Sequence, residues 1–189
     1  MKQGHPDYIV VEGPIGVGKT TLAKRLAKTF NTELMLELAA ENPFLPRFYS
    51  DPKSVALPTQ LFFLFQRAKQ LEALRQTDMF KPVQVSDFLI EKDKLFASVT
   101  LDDDELALYH QVYDRLTLDS PVPDLVIYLQ APIDILMQRI IERGHDYERP
   151  INRSYLKKIS EAYVEFFYHY TTAPLLIVNT NDFDLSGND

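Results

Sequence analysis

Eight consecutive residues, Gly13, Pro14, Ile15, Gly16, Val17, Gly18, Lys19 and Thr20, satisfy the pattern G-x-x-x-x-G-K-[ST] at every fixed position and hold three of the chain's six glycines. The chemistry that fits this spacing is the cradling of a polyphosphate. Glycines let backbone N–H groups turn inward around phosphate oxygens, and a helix beginning at the end of the loop adds the partial positive charge of its N-terminus. On this reading Lys19 reaches the β- and γ-phosphates and the Thr20 hydroxyl ligates Mg²⁺, with Thr21 next along the helix. The loop predicts nucleotide binding. By itself it names no reaction.

Such a loop works only between a strand and a helix, and both flanks have the required pattern. Residues 8–12 are β-branched and apolar up to Glu12, while Leu22, Ala23, Leu26, Ala27 and Phe30 recur at helical spacing. Residues 33–37, 83–87, 125–130 and 175–179 read as four more strands, and helical patterns cover 58–76, 101–116, 132–143 and 154–170. Strands alternating with helices predict a single α/β domain over residues 1–189, built on a five-stranded parallel sheet with right-handed crossovers. Pro58 and Thr59 mark a helix start, and Ser154 is the expected cap of the last helix. The acidic run Asp102, Asp103, Asp104 and Glu105 suits the first turn of a helix better than a metal site.

In open α/β sheets the ligand lies beyond the carboxyl ends of the strands, so acids at those ends are the first candidates for chemistry. Glu37 and Asp87 end the second and third predicted strands. A kinase acting on an alcohol needs a base beside the hydroxyl and an acid that helps hold the metal, because phosphoryl transfer is mostly positioning and charge stabilisation. Glu37 can be that base and Asp87 the metal partner; the alternative is a solvated carboxylate at each strand end.

Composition narrows the partners. The formal net charge is −7, with a pI near 5.1, which argues against a nucleic-acid surface and favours small ligands. With no cysteine there is no disulfide framework, thiolate metal site or cysteine nucleophile. Residues 1–7 do not resemble a secretory signal and no apolar run reaches membrane-spanning length, so a soluble cytoplasmic protein is expected.

An ordered set of residues extends the reading. Glu12 through Thr21, then Glu37, Glu41-Asn42-Pro43-Phe44, Phe48-Tyr49, Gln60 and Arg67, then Ile127 through Pro132, Arg139, Arg143-Gly144 and Glu148 together resemble the deoxynucleoside kinases, in particular the bacterial deoxyadenosine and deoxyguanosine kinase branch. The resemblance runs from about residue 8 to 180. It implies a P-loop kinase fold with an arginine-bearing lid over about 139–153, and phosphorylation of a deoxynucleoside 5′-hydroxyl by ATP with Mg²⁺ in nucleotide salvage, purines and chiefly deoxyadenosine being favoured.

The same resemblance assigns roles. Glu37 matches the general base, Tyr49 and Glu148 the pair on the sugar 3′-hydroxyl, Gln60 the reader of the base edge and Arg67 the arginine beside it, with Asp93 as its acidic partner. Arg139 and Arg143, one helical turn apart, are expected to converge on the transferring phosphoryl group, and with Arg149 and Arg153 they make a local cationic cluster in an acidic chain. Relatives imply a homodimer; helix 154–170 is either part of that face or part of the core.

Two positions depart from the pattern. The family's third strand ends in an acid followed by an arginine that bridges the base carboxylate and the reacting phosphate, and here the pair is Asp87-Phe88. One lid arginine is replaced by His145. Either Lys92, Lys94 or a lid arginine takes over the charge, or catalysis is weak. The rival readings are a nucleoside monophosphate kinase of thymidylate kinase type, which would need arginines near Glu37 where none occurs, and a non-catalytic nucleotide-binding module.

Overall fold

The computed structural model describes residues 7–75, 83–117 and 119–181. Residues 1–6, most of the stretch read as unlike a secretory signal, and Gln76, the last residue of the expected helix 58–76, lie outside the described residues. Five parallel strands form one sheet in the order β2-β3-β1-β4-β5: β1 Tyr8–Glu12, β2 Leu34–Met35, β3 Gln84–Ser86, β4 Leu125–Gln130 and β5 Leu175–Asn179. All five residues of β1 are buried, as expected of a central parallel strand covered on both faces. Its register on β4 pairs Ile9 with Leu125 and Val11 with Ile127.

Because side chains alternate across a strand, each face collects its own core. Val10, Val126 and Tyr128 pack with α3 (Pro52–Arg75), α4 (Lys92–Thr100), α5 (Asp103–Leu116) and α7 (Arg153–Tyr168). Ile9, Val11, Ile127 and Leu129 pack with α1 (Lys19–Phe30) and α6 (Ile133–Arg143). A third cluster joins Leu45 and Phe48 of α2 (Leu45–Phe48) to Val55 and Ala56 of α3, forming one wall of the ligand cleft.

Several boundaries differ from the sequence pattern for local reasons. The edge strand β2 has one neighbour and pairs only through Leu34 and Met35, so Glu37 lies two residues beyond it. Helix α3 begins at Pro52 but is kinked at Val55 (φ −142°), and Pro58 stands early in the straight part. Asn152, not Ser154, caps α7, its side chain accepting from the Tyr155 amide at 2.9 Å. The acidic run does cap α5: Asp102 Oδ1 accepts from the Glu105 amide at 2.9 Å and Glu105 reaches back to the Asp102 amide. Helix α7 divides its faces, with Ile159, Tyr163 and Phe167 in the core and Val164 and Tyr168 exposed.

Candidate active site

The loop after β1 has the conformation its glycines permit. Gly13, Gly16 and Gly18 have φ of 149°, 85° and 103°, and a Cβ at Gly13 would stand 2.4 Å from the Leu129 carbonyl oxygen. Only glycine fits there without displacing β4. Helix α1 starts directly after it, so backbone donors and the helix N-terminus face the same space. The Lys19 ammonium lies over the loop, donating to Gly13 O at 2.8 Å and Pro14 O at 3.2 Å. Burial pushes its pKa down to about 8, and the Lys92 ammonium adds to the effect.

A cleft of about 430 Å³ opens beside this loop, a size suited to a small ligand. Ile15, Gly16, Lys19, Thr20, Glu37, Tyr49, Gln60, Arg67, Asp87, Arg143 and Glu148 all line it, so most of the expected site residues converge. Asp93 stands behind Arg67 as its buried ion-pair partner. Thr21 lies on α1 away from the lining.

Asp87 ties the two halves of the site together. Its Oδ2 accepts from Thr20 Oγ1 at 2.5 Å and its Oδ1 from the Glu37 amide at 2.7 Å. Burial raises its pKa, opposed by the Thr20 hydrogen bond and by Lys92 and Lys19. Glu37 is thereby held facing the cleft although no strand supports it, and Gln70 Nε2 braces the preceding carbonyl, Leu36 O, at 2.9 Å. The carboxylate of Glu37 takes Arg67 on Oε1 and Lys92 Nζ on Oε2, the latter at 3.2 Å.

Opposite, Gln60 is buried and donates to Thr100 Oγ1 at 3.2 Å. The Tyr49 ring is set edge-on to Phe48 and Tyr155, and burial, reinforced by the tyrosine and glutamate around it, raises its pKa. Glu148 is gripped by Arg143 through two bonds, Nη2 to Oε1 at 2.5 Å and Nε to Oε2 at 3.0 Å. His145 also lines the cleft, stacked on Tyr147.

The four arginines do not converge. Arg143 enters the cleft, whereas Arg139 donates to Val17 O, Thr180 Oγ1 and Thr180 O, bracing the loop against the end of β5 from outside. Arg149 pairs with Asp146, and Arg153 with Asp134, on the exposed surface. The expected cationic lid therefore supplies one arginine to the cleft among the described residues.

Residues 9–189 match the family model for deoxynucleoside kinase. The chain belongs to the deoxynucleoside kinase family. It is 39% identical over 158 residues to a deoxyguanosine kinase of Bacillus subtilis (strain 168), covering 82% of this chain and 76% of that protein. It is 28% identical over 200 residues to a deoxyadenosine/deoxycytidine kinase of the same organism, covering 100% and 91%. Among solved structures, a deoxyadenosine kinase from M. mycoides with bound dATP superposes with a TM-score of 0.82 at 25% identity, over 98% of this chain and 93% of that one. The chain is thus a kinase enzyme, and the reading as a non-catalytic module falls away. No described helix is long and apolar enough to cross a membrane.

One residue of the matching pattern carries a structural role that the resemblance did not assign. Glu12, fully buried at the end of β1, accepts from the Gly13 amide at 2.8 Å, the Leu89 amide at 2.8 Å and Tyr163 Oη at 2.9 Å, and lies 3.6 Å from Lys92 Nζ. The sequence placed Glu12 at the end of the first strand and at the head of the family-like set, without a role of its own. Its signal was available: an acid ending a wholly apolar central strand must be paired. Glu12→Gln is expected to destabilise the fold by about 1–3 kcal/mol, because an amide NH₂ would face donors where an oxygen now accepts. Urea unfolding checks this, and an unchanged midpoint would remove Glu12 as the anchor of this network.

Proposed function

We propose that this kinase transfers the γ-phosphoryl group of ATP to the 5′-hydroxyl of a purine deoxynucleoside, deoxyadenosine first. The observation that carries the reading is Glu37, which lines the cleft and whose backbone amide is joined through Asp87 to Thr20 of the phosphate loop. Glu37 takes the proton of the acceptor hydroxyl as that oxygen attacks phosphorus. Lys19 and the loop amides hold the phosphates, and Arg143 opposes the charge of the transferring group. Tyr49 and Glu148 hold the sugar hydroxyl, a phenol that donates beside a carboxylate that accepts. Gln60 and Arg67, both buried in the cleft lining, read the base. Arg139 acts by supporting the loop.

Thr20 and Asp87 fit Mg²⁺: a hydroxyl and a carboxylate in contact suffice for an ion that keeps water and phosphate oxygens as its other ligands. When bound, that ion supplies charge neutralisation at the phosphates.

Deoxyguanosine is the second reading, favoured by the name of the 39% identical relative. One product profile tests both: incubation with ATP, Mg²⁺ and each deoxynucleoside or deoxynucleoside monophosphate, followed by identification of products. Monophosphates from purine deoxynucleosides are expected. Diphosphates from monophosphates, or a pyrimidine as the preferred acceptor, would overturn the proposal.

A further inference from the structure

Phe88 stands where the family pattern has an arginine, and it is fully buried in the apolar core, with its ring centroid 6.0 Å from the Arg67 guanidinium carbon. It supplies no charge. Of the cations that could take over, Lys94 points outward, pairing with exposed Asp114 at 3.3 Å and lying over the Tyr113 ring. Arg143 is engaged by Glu148. Lys92, from the first turn of α4, has a side chain only 2% exposed and two carboxylate neighbours, Glu37 Oε2 at 3.2 Å and Glu12 Oε2 at 3.6 Å.

We infer that Lys92 does the missing arginine's work from a different element: anchored by Glu12, it is a positioning residue that holds the Glu37 carboxylate toward the acceptor hydroxyl. The inference rests on the reading of Glu37 as the base. Glu12 is immobile, since three neutral donors fix it besides Lys92. Those same donors already satisfy it, so Lys92 is not required merely to compensate Glu12. Its shorter contact is to Glu37. Arg67 cannot do the same work, because it divides its guanidinium between Glu37 Oε1 and Asp93 and lies 4.8 Å over the Phe63 ring, on the base wall. Lys92 takes the other oxygen, on the phosphate side, where its charge acts on Lys19. Burial lowers the pKa of Lys92 to about 8, against the pull of Glu12 and Asp87 and with the push of Arg67, which leaves it mostly protonated at neutral pH. A buried ammonium carries a desolvation penalty that favours an apolar replacement unless the charge is used.

The test is steady-state kinetics with saturating ATP and Mg²⁺ and the preferred deoxynucleoside, on the parent enzyme, Lys92→Met, Lys92→Gln and Lys92→Arg, with thermal melting of each. Two neutral variants guard against one that fails to fold. Both are expected to lose about 10²-fold in kcat, the scale of one electrostatic positioning group, with the KM of the deoxynucleoside within about threefold of the parent by the same differential-binding logic. Lys92→Arg should regain at least about tenfold over Lys92→Met, since it restores the charge. Neutral variants within about threefold of the parent kcat, a loss appearing in KM and melting as much as in kcat, or no regain with arginine would each overturn the inference. A parent enzyme that phosphorylates no deoxynucleoside would instead overturn the reading of the site.

Discussion

Glu37→Gln is expected to lower kcat by about 10²–10⁴-fold, the range a positioned general base contributes, while leaving binding of the deoxynucleoside within about tenfold of the parent. The substitution removes the proton acceptor but keeps the shape of the side chain. It also removes a charge that two cations share, so loss of fold must be separated from loss of chemistry. The structure provides for this: Arg67 retains Asp93 and Lys92 retains Glu12 when Glu37 is neutral. The backbone of residue 37 is held independently by Asp87 Oδ1 at 2.7 Å. Calorimetric titration with the deoxynucleoside and a thermal melt, run beside the kinetics, should therefore show a folded protein that binds but turns over slowly. A variant that turns over near the parent rate would exclude Glu37 as the base and leave the cleft without an assigned proton acceptor.

What the sequence made legible follows the range of the interactions concerned. The phosphate loop was readable because its glycines are a local requirement: Gly13 and Gly16 need positive φ and closely approach the Leu129 and Leu136 carbonyls. The strand segments were readable because a buried parallel strand is a continuous apolar run. Their order in the sheet was not read, since it depends on crossovers that leave no residue pattern. Arg139 and Arg143 share a helical face by spacing, yet they part because Arg139 meets Thr180, the residue that follows β5 and is 41 positions away in sequence, while Gly144 in the left-handed region turns the chain so that Glu148 returns to Arg143. Helical periodicity could have singled out Lys92, which shares its face with Leu95, Phe96 and Val99. A lysine aligned with an apolar face has to find an anion, and here it finds two.

The same division between local shape and long-range charge bears on the last prediction. Lys19→Met is expected to lower kcat/KM by about 10³-fold with most of the fold retained, because it deletes charge from the phosphate site without altering the loop that makes the site. The loop's conformation rests on its glycines, on the Val17 amide donating to Pro14 O at 3.2 Å and on Arg139 holding Val17 O from outside. None of these needs Lys19. What Lys19 adds is an ammonium positioned over the loop by Gly13 O and Pro14 O, buried enough that its pKa is depressed to about 8. Bringing a polyphosphate against such a group favours its charged form, and the interaction strengthens as charge develops on the transferring group. Both ATP affinity and turnover should fall, whereas binding of the deoxynucleoside, which Lys19 is not assigned to hold, should stay near the parent value. Separate titrations with ATP and with the deoxynucleoside, together with kcat/KM, distinguish these contributions. If Lys19→Met kept parent-like ATP affinity and turnover, the phosphates would have to lie elsewhere than against this loop, and the arrangement of base, acceptor and donor described above would fail with it.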